Sequence, residues 1–277
     1  MSDRLPRSLR RTAEILSRKI SFQARLPERY GRRPIIVSPA NNLSILKPGE
    51  ARFDTFLFDI VDRFVRPDST IWDIGANMGV FSLAAGHIAR AGCVLAIEPD
   101  PFNLNLLNRT RALAANADVH VDILAAAVSH EVGLTQLRIP KRGRAASSLV
   151  GASNGTQMGG VRTEITVETV TLDWVLEQYR APDLIKCDAE GAEQWILCGA
   201  ERLMHEVRPT IIFELTHPNA TACAAILQER DYVAFSAKAA TLGAPLADLG
   251  PYTEILAIPR ENVMRDPPDS KQLKVHP

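Results

Sequence analysis

Short apolar runs alternate along this chain with longer segments in which apolar residues recur every three or four positions. The short runs predict strands at residues 70–74, 93–97, 119–123, 125–128, 184–188, 210–214, 232–236 and 254–258. The periodic segments predict helices at residues 52–65, 80–90, 102–115, 172–180, 189–203 and 219–230. Strands that alternate with helices are typical of a doubly wound, mostly parallel sheet covered on both faces. The pattern therefore predicts an α/β fold.

The pattern changes between residues 134 and 170. Residues 134–139 and 162–170 alternate apolar with polar positions, which predicts two antiparallel strands. The segment 141–160 between them is rich in Gly, Ser and Ala and predicts a loop. A loop of this length in a compact domain is usually a lid or is disordered, and both readings stay open here.

The N-terminal segment is basic. Residues 1–35 carry ten Lys or Arg against three acidic residues, and apolar residues recur at helical spacing from Leu9 to Ile20. This predicts a basic amphipathic helix that begins near Pro6. It serves either as an arm for a membrane surface or a partner, or as a helix that caps the domain with its basic face in solvent.

Composition narrows the class of protein. A chain of 277 residues accommodates one large domain with extensions, which we place as an N-terminal extension at 1–49, a main domain at 50–260 and a polar tail at 261–277. The net charge of zero offers no support for nucleic-acid binding. The four cysteines lack metal-binding spacing, and no run of 18 apolar residues predicts a transmembrane helix. Buried, reduced cysteines suit the cytoplasm.

The strand at 70–74 ends in a glycine-rich turn that contains Gly75, Asn77 and Gly79 and opens the helix at 80–90. Glycine is required where the backbone takes a positive φ or where a ligand approaches the main chain. Glu98 ends the next strand, and an acid about 20 residues after such a turn is placed to bind ribose hydroxyls. The turn and Glu98 together predict a nucleotide-type ligand.

Asp73, directly before the turn, indicates which nucleotide this is. A carboxylate beside a pyrophosphate would repel it, whereas it would attract an ammonium group. S-adenosylmethionine carries both a ribose and an ammonium, so we favour it over a dinucleotide such as NAD. A third interpretation is that Gly75 and Gly79 serve only the turn.

Three predicted strands end in an acid, namely Glu98, Asp188 and Glu214. Because the carboxyl ends of parallel strands meet at one edge of a sheet, these side chains should converge near the ligand. Lys186 lies on the same strand face as Asp188 and, if buried, needs a carboxylate partner. Glu190 and Glu193 are spaced to share one face of the helix predicted at 189–203, although acids also suit a helix N-terminus.

Five motifs stand in order along the chain. They are Asp73-Ile-Gly-Ala-Asn-Met-Gly79, Glu98-Pro-Asp-Pro101, Thr171-Leu-Asp173, Lys186-Cys-Asp-Ala-Glu-Gly-Ala-Glu193 and Phe213-Glu214. Their identity and spacing resemble the FkbM family of S-adenosylmethionine-dependent methyltransferases over about residues 50–260. The K-x-D-x-E-G-x-E element is the most specific of the five. Phe53-Asp54 departs mildly from the Tyr-Glu that the family often has there.

The resemblance implies a class I methyltransferase fold, Rossmann-like with seven strands. It also implies O-methylation of a small-molecule or glycan acceptor, with a sugar hydroxyl favoured. By position, the methionine part of the donor would be held by Asp73, Gly75, Asn77 and Gly79. The ribose would be held by Glu98, and the adenine by Phe102 and the backbone at Ala126 and Ala127. The transfer centre would contain Asp188, Glu190 and Glu214.

A hydroxyl acceptor must lose its proton during transfer, so a base is expected. The candidates are Asp188, Glu190 and His217, and Asp188 should stay ionised beside a cationic donor. Alternatively, a magnesium ion bound by Asp188 and Glu214 would lower the pKa of the hydroxyl. Two other functions compete with methyl transfer: an NAD-dependent oxidoreductase, and a binding module that has the fold without catalysis.

Overall fold

A computed structural model describes residues 20–152, 159–215, 219–239, 243–250 and 254–265. The strands are β1 Phe22–Arg25, β2 Pro34–Val37, β3 Thr70–Ile74, β4 Cys93–Ile97, β5 Val121–Leu124, β6 Ala127–Val128, β7 Gly133–Pro140, β8 Ser148–Leu149, β9 Val161–Val170, β10 Leu184–Cys187, β11 Thr210–Glu214, β12 Tyr232–Ser236 and β13 Glu254–Pro259. The α-helices are α1 Thr55–Phe64, α2 Val80–Ile88, α3 Pro101–Arg111, α4 Leu172–Gln178, α5 Glu193–Cys198, α6 Ala220–Glu229 and α7 Arg260–Arg265.

The central sheet has seven strands in the order β12-β13-β11-β10-β3-β4-β5. The five strands from β11 to β5 are parallel, and β13 runs antiparallel to both of its neighbours. The predicted α/β class and the mostly parallel sheet are therefore confirmed. The strand order places β3, with its glycine turn, in the interior of the sheet between β10 and β4.

The strands have two buried faces, and successive residues point into different cores. Trp72 and Ile185 belong to the core on the side of α4, α5 and α6. Their neighbours Ile71 and Leu184 belong to the core on the side of α1 and α2. This explains why the strands read as continuous apolar runs rather than as alternating patterns.

Residues 127–170 build a second, smaller sheet with the strand order β6-β9-β7-β8. Strands β7 and β9 pair antiparallel, as their alternation predicts. The predicted loop at 141–160 begins with a 3-10 turn at Arg144–Ala146 and then adds the short strand β8 to β7. Its residues 153–158 lie outside the described part of the chain.

The predicted N-terminal amphipathic helix also lies outside the described residues, apart from Ile20. Further along the extension placed at 1–49, β1 and β2 form an antiparallel hairpin. Tyr30 and Ile35 are fully buried in the core that contains Phe58 and Phe81. The hairpin and its turn are thus packed into the α1–α2 side of the molecule.

The helix predicted at 189–203 is wrong in its extent, because α5 begins only at Glu193 and ends at Cys198. Glu190 and Gly191 take left-handed conformations with φ of 50° and 105°, which a right-handed helix cannot contain. Glu190 and Glu193 therefore do not share a helical face. A second difference is α7, which occupies residues 260–265, where the polar tail was predicted to start.

Candidate active site

The glycine turn after β3 has a geometry that restricts side chains. Gly75 has a φ of +70°, and a Cβ atom there would lie 1.9 Å from the carbonyl oxygen of Asp188. Gly79 has a φ of +84°, and a Cβ there would lie 2.4 Å from Cδ2 of Leu107. Asn77 takes a positive φ of 54° without being glycine, a conformation that Asn tolerates better than most residues. The turn thus brings the backbone after β3 against the backbone after β10.

Glu98, at the end of β4, is buried and holds this turn from the neighbouring strand. Its Oε2 accepts a hydrogen bond of 2.8 Å from the Asn77 backbone N–H, and its Oε1 accepts one of 2.8 Å from the Asp100 backbone N–H. The side chain of Asn103 donates to the same Oε1 at 3.3 Å. These bonds favour the ionised carboxylate and lower its pKa, but burial has the larger effect and raises the pKa of Glu98 to about 7.

Asp73 lies behind the turn. It is fully buried, its Oδ2 accepts a hydrogen bond from the Ser82 hydroxyl, and its Oδ1 is 3.2 Å from Nζ of Lys186. Asp73 is therefore the carboxylate partner expected for this buried lysine, and Lys186 also donates to the Gly75 carbonyl at 3.1 Å. Burial alone would lower the pKa of Lys186, but the charges of Asp73 and Asp188 outweigh it and raise the pKa.

The element K-x-D-x-E-G-x-E forms a second strained turn. Glu193, which starts α5, accepts a hydrogen bond of 2.9 Å from the Gly191 backbone N–H, and the Asn219 side chain donates to the Gly191 carbonyl at 2.6 Å. These bonds hold Glu190 in its left-handed conformation. Strain of this kind clusters at functional sites, where the surrounding structure maintains it.

Asp188 and Glu214, two of the three predicted strand-end acids, come together with Glu190, which was predicted to lie on a helix. Burial raises the pKa of Asp188, and the negative charge of Asp73 raises it further. The positive charge of Lys186, whose Nζ is 3.9 Å from Oδ2, acts in the opposite direction. Desolvation and the charge of Asp188 raise the pKa of Glu190 to about 8 and that of Glu214 to about 7. Glu190 and Glu214 therefore hold their protons more strongly than exposed carboxyl groups do, and a cationic ligand would favour the ionised forms of all three acids.

Two connected cavities surround the glycine turn. The first has a volume of about 590 Å³, part of which is open to solvent, and lies between the turn, the end of β4 and the small sheet. Its wall includes Glu98, Ala126, Leu137 and Leu149. The apolar side chains of this wall and the buried carboxylate of Glu98 match the predicted adenosine side.

The second cavity is an open cleft of about 970 Å³ between the turn, α1 and the end of β11. Asn41, Asp54, Phe56, Lys186 and Glu214 contribute to its wall. The two cavities share part of their lining, namely Gly75, Asn77, Ala145 and Asp188. A ligand that crosses these shared residues would reach from Glu98 to the acidic cluster.

The structure places the predicted adenine contacts in two different environments. Ala126 and Ala127 line the first cavity, whereas Phe102 is absent from its described lining. Arg144 covers the Phe102 ring at 4.8 Å from its centroid and pairs with the fully buried Asp100, at 2.8 Å from Nε to Oδ2. This ion pair fixes the Arg144–Ala146 turn beside the first cavity. Arg144 was missed because its loop position carried no periodic signal.

Two further predictions have different outcomes. His217, one of the candidate bases, lies outside the described residues. Among the residues that the structure describes, no group of three or more His, Cys, Asp or Glu side chains is arranged to hold a metal ion, so the magnesium site at Asp188 and Glu214 finds no support.

No helix in the described part of the chain is long and apolar enough to span a membrane.

The topology and the glycine turn after an interior parallel strand define the class I methyltransferase fold. Residues 73–234 match the family described as the Methyltransferase FkbM domain, which is more than half of the chain, and the chain belongs to this family. A curated relative, methyltransferase sdnD of Sordaria araneosa, is 27% identical over an alignment that covers 60% of this chain and 73% of that protein.

Solved structures with a similar fold include methyltransferases. The methyltransferase FkbM from Methylobacillus flagellatus has a TM-score of 0.46 at 19% identity, and the match covers 70% of this chain and 44% of that chain. This chain thus spans less than half of that protein. A SAM-dependent O-methyltransferase from Thermotoga maritima has a TM-score of 0.43 at 12% identity, covering 82% of this chain and 73% of that one.

Proposed function

We propose that the protein uses S-adenosylmethionine to methylate a hydroxyl group of a small molecule or glycan. The observation that carries this proposal is the pair of cavities that meet at Gly75, Asn77 and Asp188. Glu98 and Glu190 lie in the wall of the first cavity, Glu214 lies in the wall of the second, and Asp188 lines both. This arrangement suits a donor whose adenosine and amino-acid parts lie on opposite sides of one reactive atom.

The residues of the first cavity fit an adenosine. A carboxylate has about four acceptor sites, and Glu98 uses three of them for N–H groups of the protein, so it retains capacity for a ribose hydroxyl. The backbone at Ala126 and the apolar side chains of Leu137 and Leu149 offer an apolar slot for the base. The glycine turn lets the ligand approach the main chain closely.

The bound donor supplies a methyl group on a sulfonium sulfur, which is a good leaving group. Transfer forms a bond from the acceptor oxygen to the methyl carbon and breaks the carbon–sulfur bond. Asp188 or Glu190 would take the hydroxyl proton, since Asp188 lines both cavities and Glu190 lies beside it in the wall of the first. Their role is to orient the acceptor and to remove this proton at the moment of attack.

A sugar hydroxyl is the favoured acceptor group. Support comes from the open cleft, whose wall combines the ring of Phe56 with amide and carboxylate groups of Asn42, Asp54 and Glu214. Such mixtures bind polyols through hydrogen bonds and an apolar face. Mass spectrometry of the glycans and small metabolites of the producing cell, with and without the gene, would identify the acceptor as a species that loses one methyl mass.

A thermal-shift comparison tests the donor. We expect S-adenosylhomocysteine to raise the unfolding temperature and NAD to leave it unchanged, since Asp73 and the turn disfavour a pyrophosphate. Stabilisation by NAD alone would contradict the proposal. Binding of S-adenosylhomocysteine without methyl transfer to any of a broad panel of acceptors would instead favour a binding module that has the fold without catalysis.

We also propose a cytoplasmic location, supported only by the four cysteines, all of which are free.

A further inference from the structure

Asn41 lies before α1, outside the segment that matches the family, and no motif drew attention to it. It is 1% exposed and contributes to the wall of the open cleft. Its side-chain amide donates to Oδ1 of Asn77 at 2.6 Å and to Oδ1 of Asn103 at 2.8 Å. Its own Oδ1 is buried and has no hydrogen-bond partner among the residues that the structure describes.

The orientation of these amides follows from Glu98. Both oxygens of that carboxylate accept backbone N–H bonds, so the Asn103 group that faces it at 3.3 Å must be the donating NH₂. Asn103 therefore turns its Oδ1 toward Asn41, which must present its own NH₂ in return. If the Asn41 amide were reversed, its oxygen would face the Asn103 oxygen, and two acceptors would meet. The Asn41 Oδ1 is therefore the acceptor that this row of amides leaves unpaired.

A buried acceptor without a partner is costly, and most buried polar atoms in proteins are paired. Asn41 sits in a cleft wall, so a bound molecule that offers an N–H or O–H group would satisfy it. An ammonium is the strongest such donor, because its hydrogen bonds are assisted by charge.

We propose that Asn41 is a donor-binding residue, whose Oδ1 accepts a hydrogen bond from the α-ammonium of the amino-acid part of the methyl donor. This rests on the proposed function. Asn41 bonds to Asn77 of the glycine turn, on the donor side, whereas the acceptor side lies at Asp188 and Glu214.

The sequence assigned the ammonium to Asp73. That carboxylate is fully buried behind the turn, already faces Lys186 and Ser82, and does not appear in the lining of either cavity. The ammonium therefore needs acceptors that line the cleft. Asn41 supplies a neutral one from the N-terminal segment, with Asp54 in the same wall as a charged neighbour.

The test compares two ligands by isothermal titration calorimetry. One is S-adenosylhomocysteine, and the other is the same compound with hydrogen in place of its α-amino group. We expect Asn41→Ala to weaken the first by about tenfold or more, the range for one charge-assisted bond, and to leave the second within about twofold. Comparing the ligands removes indirect effects through Asn77 or Glu98, because these act on both.

Asn116→Ala is the matched control. Asn116 is also buried, at 2% exposure, and its Oδ1 is likewise unpaired within the described part of the chain, yet it lines a separate small cavity beside α3. We expect this variant to lower stability without changing either affinity. Equal weakening of both ligands by Asn41→Ala, or no weakening of either, would overturn the proposal. If the wild-type protein binds S-adenosylhomocysteine, the proposed donor stands in either case; if it binds neither ligand, both proposals fall.

Discussion

At the scale of single residues, Glu98 links the protonation state of the protein to its ligand. A ribose hydroxyl donates its hydrogen bond to an ionised carboxylate, but burial raises the pKa of Glu98 to about 7. The neutral form therefore dominates below this pH and the ionised form above it. Binding of the donor must shift Glu98 toward the ionised form.

We therefore predict that affinity for S-adenosylhomocysteine rises as the pH increases from 6 to 8 and then levels off. Glu98→Ala should weaken binding by about tenfold or more, through the lost charge-assisted bond and the loosened turn at Asn77, and should flatten this pH dependence. Calorimetry across this pH range measures both effects. An unchanged affinity in the variant would remove Glu98 from the site.

Asp188 carries the prediction for catalysis. Asp188→Asn keeps the size of the side chain and removes its charge, so the variant should fold and bind the donor within about tenfold of wild type. Turnover of the identified acceptor should fall by about a hundredfold or more, the lower range for one acid–base group. Asp122→Asn, on the exposed side of β5, is the control and should turn over normally. Full activity in Asp188→Asn would move the base to Glu190.

Strand-end acids were predictable because a parallel sheet brings the ends of its strands to one edge, whatever the details of packing. The role of Asp73 was not, since nothing in the sequence tells whether a carboxylate faces a ligand or a buried Lys186. Asn41 and Arg144 were also out of reach, because their contacts are with residues distant along the chain.

At the scale of elements, the glycine turn and the Glu190–Gly191 turn meet across the sheet. The Gly75 backbone lies so close to the Asp188 carbonyl that no side chain fits between them. Lys186 donates to the Gly75 carbonyl from the other strand and joins the two turns. The geometry at β3 therefore depends on that at β10.

Gly75→Ala tests this contact, with Gly49→Ala as a matched control. Both glycines have a positive φ, of +70° and +60°, but only Gly49 has open space around the position of a Cβ atom. Each substitution costs about 1–2 kcal/mol for the left-handed backbone. We expect Gly75→Ala to cost roughly 1–3 kcal/mol more through the clash, in urea unfolding, and to abolish donor binding. Equal destabilisation of the two variants would contradict the close contact.

Periodicity predicted the interior strands well because each lies in a uniformly apolar environment. It failed at α5, where two left-handed residues replace the first turn of the expected helix. The pattern of apolar residues does not reveal a left-handed conformation such as that of Glu190. It also missed β8, which is only two residues long and pairs with β7 across the loop.

At the scale of the whole molecule, the sequence predicted the class of fold, but the strand order and the packing of the N-terminal segment required the structure. The hairpin β1–β2 has only eight residues in its strands, too few for a periodic signal. Its side chains nevertheless enter the core on the α1–α2 side, and the segment that follows supplies Asn41 to the cleft. Fold and site therefore both extend upstream of the family match at residue 73.

The last prediction concerns this N-terminal segment and compares two shortened chains, one beginning at residue 20 and one at residue 50. The second lacks Tyr30, Ile35, Val37 and Ile45, each at most 2% exposed. Burial of one such side chain contributes about 1.5–3 kcal/mol, so losing four removes an amount comparable to the whole stability of a typical domain, about 5–15 kcal/mol. We expect the chain that begins at residue 20 to unfold cooperatively on heating. The chain that begins at residue 50 should show no cooperative transition and no binding of S-adenosylhomocysteine. Equal unfolding temperatures for the two chains would place the hairpin outside the folding unit and would support the domain boundary predicted near residue 49.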